Sequence, residues 1–126
     1  MSTNPELKNN PEIIDFFTKI FPEGVIFFDL ETTGLSPLCD RVIEFAGIKI
    51  YAGQVEQLQF LTDPQVEILP DNEKIHGISN QMVQGQLKQN IAAEKIQEFI
   101  GDSSLVAHNA LFDFGFLLTL FHRFNL

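Results

Sequence analysis

Apolar residues recur along the chain with two periods, one typical of helices and one typical of strands. Over residues 12–21 the apolar side chains return every three or four positions, which predicts an amphipathic helix that ends before Pro22. The continuous apolar run at 25–30 is rich in β-branched and aromatic residues and predicts a buried strand. The runs Val42–Tyr51 and 55–61 flank a short turn and predict a hairpin.

The second half of the chain alternates polar and apolar stretches. Residues 62–89 are polar and rich in turn formers, so they predict short helical pieces at most. Helical periodicity returns at 90–100, an apolar strand is predicted at 105–107, and a strongly apolar helix at 111–121. That last helix is apolar on nearly every side. Such a helix is normally covered on both sides, so we expect it to expose apolar surface here, where its natural cover is absent. The order of elements indicates an α/β fold with a mixed sheet flanked by helices.

Length and composition fit one domain. The chain has 126 residues, of which 44% are hydrophobic, and this is enough for a core. We expect a flexible tail over residues 1–11 and a folded domain over 12–126. The single cysteine excludes an intramolecular disulfide. No apolar run has the length of a membrane span or the character of a signal peptide, so we expect a cytoplasmic protein without a membrane partner.

The charge balance limits the partners that the chain can bind unaided. Eight Lys and Arg residues against 17 Asp and Glu residues give a formal net charge of −9. Because affinity for phosphate depends mainly on Lys and Arg, such a chain is a poor general binder of polyanions. If it handles nucleic acid, it needs positive charge from another source, and a metal ion is the simplest one.

Two carboxylates follow the first predicted strand. Asp29 and Glu31 are two positions apart, so on a strand they face one side while Leu30 faces the other. Neighbouring carboxylates repel each other unless a proton or a cation lies between them, and their oxygens suit Mg²⁺ or Mn²⁺. The spacing alone is equally typical of a solvated acidic strand end before a glycine turn.

A second polar segment follows the strand predicted at 105–107. His108 and Asn109 form a turn, and Asp113 lies in the first turns of the next helix among Phe and Leu. A carboxylate on so apolar a helix is costly to bury unless it is paired or bound to a metal. Asp113 is therefore a third candidate ligand.

Together the two segments resemble the first and second motifs of the DEDD superfamily of 3′–5′ exonucleases. The first motif reads DLETTGL at residues 29–35, and the second reads HNALFD at 108–113. The sequence IHGI at 75–78 also resembles a segment of one branch, in the right order. This branch contains ribonuclease T and the proofreading subunits similar to polymerase III epsilon, and its fold is ribonuclease H-like.

The resemblance implies removal of 3′-terminal nucleotides from DNA or RNA by hydrolysis of the phosphodiester at two divalent ions, Mg²⁺ or Mn²⁺. Asp29, Glu31 and Asp113 would be the catalytic, metal-binding residues. The substrate-binding residues that it implies are Thr32, Thr33, Leu35 and His76, with Leu35 as an apolar wedge beside the terminal base. The implied partners are a single-stranded 3′ end and a DNA polymerase subunit, in proofreading or repair.

Several residues near these motifs have two interpretations. A structural role in the turn at 75–78 is nearly as well supported for His76 as contact with substrate. His108 and Asn109 are interpreted as structural residues that fix the turn before the helix. Glu44 matches an acidic position of the family. It either lies behind the metal ligands and contacts them without contacting the metal, or it forms an ion pair with Arg41.

The third motif of the superfamily supplies a general-base histidine and a fourth carboxylate, and it has no match here. No Asp or Glu follows Asp113 in the sequence. We therefore expect an exonuclease-like domain whose C-terminal part is missing. Little hydrolysis is expected from the 126-residue chain, since a general base contributes about 10²–10⁴-fold. The alternative is a non-catalytic module that binds a nucleic-acid 3′ end or a polymerase partner.

Overall fold

A mixed sheet with helices on both faces forms the molecule, as described by a computed structural model over residues 5–126. The helices are α1 (Pro5–Lys8), α2 (Pro11–Ile20), α3 (Pro70–His76), α4 (Asn80–Val83), α5 (Gln89–Ile100) and α6 (Ala110–Arg123). The strands are β1 (Val25–Thr32), β2 (Val42–Tyr51), β3 (Gln54–Asp63), β4 (Leu87–Lys88) and β5 (Ser104–Ala107). The predicted α/β class, a mixed sheet flanked by helices, is confirmed.

The strands lie in the order β4-β3-β2-β1-β5. β1, β2 and β3 are antiparallel neighbours, whereas β5 runs parallel to β1 and β4 runs parallel to β3. The predicted hairpin of β2 and β3 turns at Ala52 and Gly53, which both have positive φ angles of 51° and 76°. Two such residues give the turn whose twist matches the flanking strands.

The main core fills the space between one face of the sheet and helices α5 and α6. Its buried members are Ile26, Phe28, Leu30, Val42, Phe45, Ala93, Ile96, Phe99, Phe116, Leu117 and Leu120. Phe45 lies at its centre and is fully buried. Its ring stacks on Phe28 and Phe60 at centroid distances of 6.0 and 5.8 Å and meets the edge of Phe99 at 6.1 Å.

Helix α2 covers part of the opposite face. Phe17 meets Phe27 of β1 edge to face at 5.3 Å, and the Thr18 hydroxyl accepts the backbone N–H of Gly53 at 3.2 Å. Asp29 and Glu31 are on the same side of β1 as Phe27, farther along the strand. A smaller apolar cluster joins α3, α4 and the loops beside them to the sheet, and it contains Ile43, Leu61, Ile68, Ile78 and Val83.

The structure differs from the sequence expectations in several elements. Residues 5–8 of the predicted flexible tail form a short helix, and residues 1–4 of that tail lie outside the described part. The strand predicted at 25–30 continues to Thr32. The two-residue strand β4 was not expected, because two residues carry no periodicity.

Part of the apolar surface of the last helix is exposed, as the sequence predicts. On α6 the side chains of Leu111 and Leu118 are 92% and 67% exposed, so the neighbouring elements among the described residues leave part of this helix uncovered. Among helices of residues 5–126, none has the length and apolar character that a membrane span requires.

The stacked rings predict where the fold is most sensitive to substitution. We expect Phe45→Ala to lower the free energy of unfolding by about 3–5 kcal/mol, because it removes the contacts at the centre of the core and leaves a cavity. Phe16, which is 56% exposed on α2, provides the matched control. Phe16→Ala should cost less than about 1 kcal/mol in urea unfolding, and equal losses in the two variants would contradict this view of the core.

Candidate active site

Asp29 and Glu31 share one face of β1, as their spacing predicts. Along the strand Phe27, Asp29 and Glu31 are half-buried, while the residues between them are buried toward the main core. Asp29 lies opposite Ala46 on β2, and Glu31 lies opposite Glu44. The strand therefore presents its two acids together, on the face of β1 opposite to its buried core residues.

The pairing of β1 with β2 becomes irregular at this point. Glu31 pairs with Glu44, but the next residue, Thr32, pairs with Val42, so Ile43 is an additional residue on β2. Such bulges strengthen the local twist and re-aim side chains, and they are common beside active sites. The Glu31–Glu44 pair places like charges directly opposite each other, which is unfavourable without a counter-charge.

Asp113 is brought to the same region by α6. It belongs to the first turns of the helix, its side chain is only 3% exposed, and its backbone N–H donates to the Asn109 carbonyl at 3.0 Å. Burial, followed by the charges of Asp29 and Glu31, raises the pKa of the Asp113 carboxyl from 3.8 to about 6, while His108 acts in the opposite sense. The three predicted ligands therefore lie close enough for their charges to interact.

Glu31 experiences the same kind of environment. Burial raises its pKa, and the charges of Asp29 and Glu44 add to the effect. Within the described part of the chain, no hydrogen-bond donor and no basic partner within salt-bridge distance contacts the carboxylate oxygens of Asp29, Glu31 or Asp113. The site thus concentrates negative charge that no salt bridge or hydrogen bond from the described side chains offsets.

The donor set fits a hard divalent cation in chemistry and charge. Carboxylate oxygens are the ligands that Mg²⁺ and Mn²⁺ prefer, and a cation would relieve the repulsion that raises these pKa values. The geometry is less complete: among residues 5–126 no three Asp, Glu, His or Cys side chains are close enough to share one ion as they stand. The ligand assignment for Asp29, Glu31 and Asp113 therefore stays a prediction.

A groove of about 410 Å³ opens beside the acids, between β1 and the end of β5. Its lining residues are Phe27, Phe28, Asp29, Val106, Ala107 and His108. His108 was expected only to fix a turn, but it faces the same groove as Asp29 and its charge acts on Asp113. Its position directly after β5, next to the end of β1, is the sequence signal that could have indicated this.

The turn before α6 is built differently from the expectation for His108 and Asn109. Neither side chain makes a hydrogen bond within the part of the chain that the structure describes, and Asn109 occupies the N-cap position of α6 without a side-chain capping bond. The backbone bond between Asp113 and Asn109 closes the first helical turn instead. The side-chain role predicted for these two residues is therefore wrong.

The threonines of the first motif shape the loop after β1. The Thr32 hydroxyl donates to the Gly34 carbonyl at 2.6 Å, and the Thr33 hydroxyl accepts the Arg41 backbone N–H at 2.9 Å. Both side chains are buried, with exposures of 7% and 4%. Their hydroxyl groups are thus occupied within the loop, and their predicted contact with a nucleotide would have to involve other atoms.

Leu35 and its neighbouring backbone face outward. The Leu35 side chain is 81% exposed, as an apolar wedge would need to be. No acceptor among residues 5–126 pairs with the backbone N–H of Gly34 or of Leu35. The tip of the loop therefore offers one apolar side chain and two free N–H donors to a ligand.

His76 is connected to this loop through α3. Its Nδ1 accepts the backbone N–H of Ile78 at 3.0 Å, which supports the structural interpretation, while its Nε2 is buried without a partner among the described residues. Asn72, one helical turn earlier on the same face of α3, donates to the Thr33 carbonyl at 2.6 Å. Substrate contact by His76 stays a prediction.

Glu44 does not pair with Arg41. The Arg41 guanidinium donates to the Cys39 carbonyl at 3.1 Å, and no ion pair between Arg41 and Glu44 is present within residues 5–126. Of its two interpretations, support of the site is the one that agrees with the structure, because Glu44 raises the pKa of Glu31.

Proteins of known family are similar to this chain over the part that carries the candidate site. The family model described as Exonuclease matches residues 26–126. The chain is 37% identical over 102 residues to the PolC-type DNA polymerase III of Halalkalibacterium halodurans, covering 80% of this chain and 7% of that protein. The PolC-type enzyme of Clostridium perfringens is 37% identical over 108 residues, covering 85% of this chain and 8% of that protein. The chain thus spans less than a tenth of the length of these relatives.

The fold is similar to that of solved exonuclease structures. Escherichia coli exonuclease I, in complex with a dA16 oligonucleotide, superposes with a TM-score of 0.73 at 24% identity, over 80% of this chain and 24% of that one. The likeness at this identity concerns the fold, and it confirms the predicted ribonuclease H-like class. With a family match that includes both acidic segments, it confirms the predicted relationship, and the chain belongs to the exonuclease family.

Proposed function

We propose that this chain is a metal-dependent 3′–5′ exonuclease domain that removes terminal nucleotides from single-stranded nucleic acid. The observation that carries the proposal is the group of three uncompensated carboxylates, Asp29, Glu31 and Asp113, at the end of β1. The names of similar proteins support it, because they include PolC-type DNA polymerases and an exonuclease I in complex with an oligonucleotide.

Asp29, Glu31 and Asp113 would hold Mg²⁺ or Mn²⁺, as one ion or as the pair that the resemblance implies. When bound, such ions polarise a phosphodiester and lower the pKa of water, which generates a nucleophile at neutral pH. Asp113 is suited to this role by its position: it is buried, so its charge is strongly felt, and its backbone is fixed by α6. Contact with the cation would offset the free-energy cost of burying the ionised Asp113 carboxylate.

The loop tip would receive the 3′-terminal nucleotide. Leu35 would lie against the base, and the free N–H groups of Gly34 and Leu35 would donate to oxygens of the sugar or phosphate. Thr32 and Thr33 would contribute through the loop shape that their hydroxyls maintain. His76 would approach from α3 beside Asn72.

A role in proofreading beside a DNA polymerase is the finer part of the proposal. It is supported by the similarity to PolC-type polymerases over 80% of this chain. DNA and RNA are distinguished through the 2′-hydroxyl, and the acids and the leucine do not read that group. A digestion assay with matched DNA and RNA strands would decide between the two substrates.

A second function, binding of a 3′ end or a polymerase partner without hydrolysis, is favoured by one observation. Among the described residues, no three acids are close enough together to bind one ion. A chain of this kind would bind a single-stranded 3′ end and leave its length unchanged.

Cation binding provides the first test. Mn²⁺ at a hundredfold excess over its dissociation constant should raise the free energy of unfolding by about 2.7 kcal/mol. Asp29→Asn and Asp113→Asn should lose most of this gain, because each removes a charged ligand. Asp102→Asn, in the exposed turn after α5, is the matched control and should keep it. An equal gain in all variants, measured by thermal melting, would contradict the metal site.

The raised pKa of Asp113 gives a test in the absence of metal. Its carboxyl has a pKa of about 6 in the folded chain against 3.8 ordinarily, so the folded state holds this proton more tightly. The stabilisation is fully present below pH 3.8 and is lost as the pH rises through about 6. In a chelating buffer Asp113→Asn should therefore be more stable than the parent at pH 7, with an advantage that shrinks toward pH 4. Parallel urea-unfolding curves across this range would refute the assignment.

Digestion of a 5′-labelled single strand tests the reaction. With Mn²⁺ we expect slow shortening from the 3′ end by one nucleotide at a time, reduced at least about a hundredfold in Asp29→Asn, since the cation supplies several kcal/mol to the transition state. Cutting from the 5′ end or inside the strand would overturn the proposed function. Binding of the 3′ end without shortening would support the second function instead.

A further inference from the structure

We propose that Asp40 is a positioning residue that fixes the loop tip at Gly34 and Leu35 for the 3′-terminal nucleotide. The proposal rests on the proposed function, because it assigns a role to the loop that would receive the nucleotide. Asp40 lies outside the two motif segments that indicated the site, and it is separated from Thr33 by seven positions.

The Asp40 carboxylate bonds to the loop on both sides of its tip. Oδ1 accepts the hydroxyl of Thr33 at 3.3 Å, and Oδ2 accepts the backbone N–H of Ser36 at 2.9 Å. The Thr33 hydroxyl also accepts the N–H of Arg41, so this side chain is held from two directions. One carboxylate thereby joins the residue before Gly34 to the residue after Leu35.

Gly34 is adapted to this carboxylate by its lack of a side chain. A Cβ at Gly34 would clash with Oδ2 of Asp40 and would lie 2.6 Å from its Cγ and 2.8 Å from Oδ1. The φ angle of Gly34 is outside the region that favours glycine, so space is the constraint here. An alanine would therefore push the carboxylate away and leave its charge intact.

The segment that carries Asp40 is itself fixed to α6. Nη2 of Arg123 donates to the carbonyls of Pro37, Leu38 and Asp40 at 3.2, 3.1 and 3.4 Å. A Cβ on Gly115 would lie only 3.3 Å from Cγ of Pro37, so the helix and the loop approach closely. Because α6 also carries Asp113, Asp40 holds the loop tip in a defined relation to the predicted ligands.

The Asp40 carboxylate accepts two hydrogen bonds from the loop, and these hold the loop without any bond from the backbone N–H groups at its tip. The N–H groups of Gly34 and Leu35 point to no acceptor among the described residues, and Leu35 is exposed. Ordering such a tip costs conformational entropy, and hydrogen bonds on both sides of the tip offset part of this cost. We therefore expect Asp40 to affect recognition of a strand end more than it affects the fold.

The test compares the affinities for two forms of one single strand, measured by fluorescence anisotropy with Mn²⁺. One form is linear with a free 3′-hydroxyl, and the other is circular and has no end. The parent should prefer the linear form. Asp40→Ala and Gly34→Ala should each lower this preference by about tenfold, the effect of one lost hydrogen bond to a charged group. Both should keep the stabilisation by Mn²⁺, which a general structural defect would remove.

Two further variants separate position from charge. Asp40→Asn can still accept from Ser36 and bond to Thr33, so it should keep most of the preference. Asp102→Ala removes an exposed acid in another turn and should match the parent. If Asp40→Ala does not fold, Gly34→Ala carries the comparison. A preference retained in Gly34→Ala, or lost equally in Asp40→Asn, would overturn the role of Asp40. A parent without any preference would overturn the proposed function, and this role with it.

Discussion

The parallel pairing of β5 with β1 is the contact on which the candidate site depends. It extends from the pair Val25–Ser104 to the pair Phe28–Ala107 and stops one residue before Asp29. The chain then turns and enters α6, so this helix begins beside the end of β1. A shift of the pairing by one residue would turn every side chain of β5 to the other face and would remove His108 from the groove.

The candidate site also depends on an unfavourable electrostatic arrangement. Asp113 is buried beside two further acids, and no salt bridge among the described residues neutralises it. Apolar contacts must offset this cost, and α6 supplies them through Phe116, Leu117 and Leu120 in the main core. Such a balance is typical of sites that sacrifice stability for activity. It also explains how a chain with a net charge of −9 could approach a polyanion, since this group of acids would be the place where cations collect.

Sequence reasoning succeeded where the information was local. The two-residue spacing predicted the shared face of Asp29 and Glu31. An isolated acid on an apolar helix drew attention to Asp113, which is buried, while its role as a ligand stays a prediction. It did not find β4, whose two residues are held by the Thr62 hydroxyl bond to Leu87 and have no pattern of their own. Pairing order, the bulge and the bonds of Asp40 were also missed, because each depends on which distant segments become neighbours. The residue type at position 108 also did not indicate that the His108 side chain faces the groove.

The bonds from Arg123 to the loop after β1 join segments that are far apart in sequence. Its guanidinium reaches carbonyls 83 to 86 positions earlier in the chain. Contacts of this separation form late, because the entropy of closing so long a loop must be paid first. During synthesis the loop is made well before α6, so it leaves the ribosome without the helix that holds it. The loop after β1, to which the proposed nucleotide contacts belong, should therefore be among the last parts to become ordered during folding.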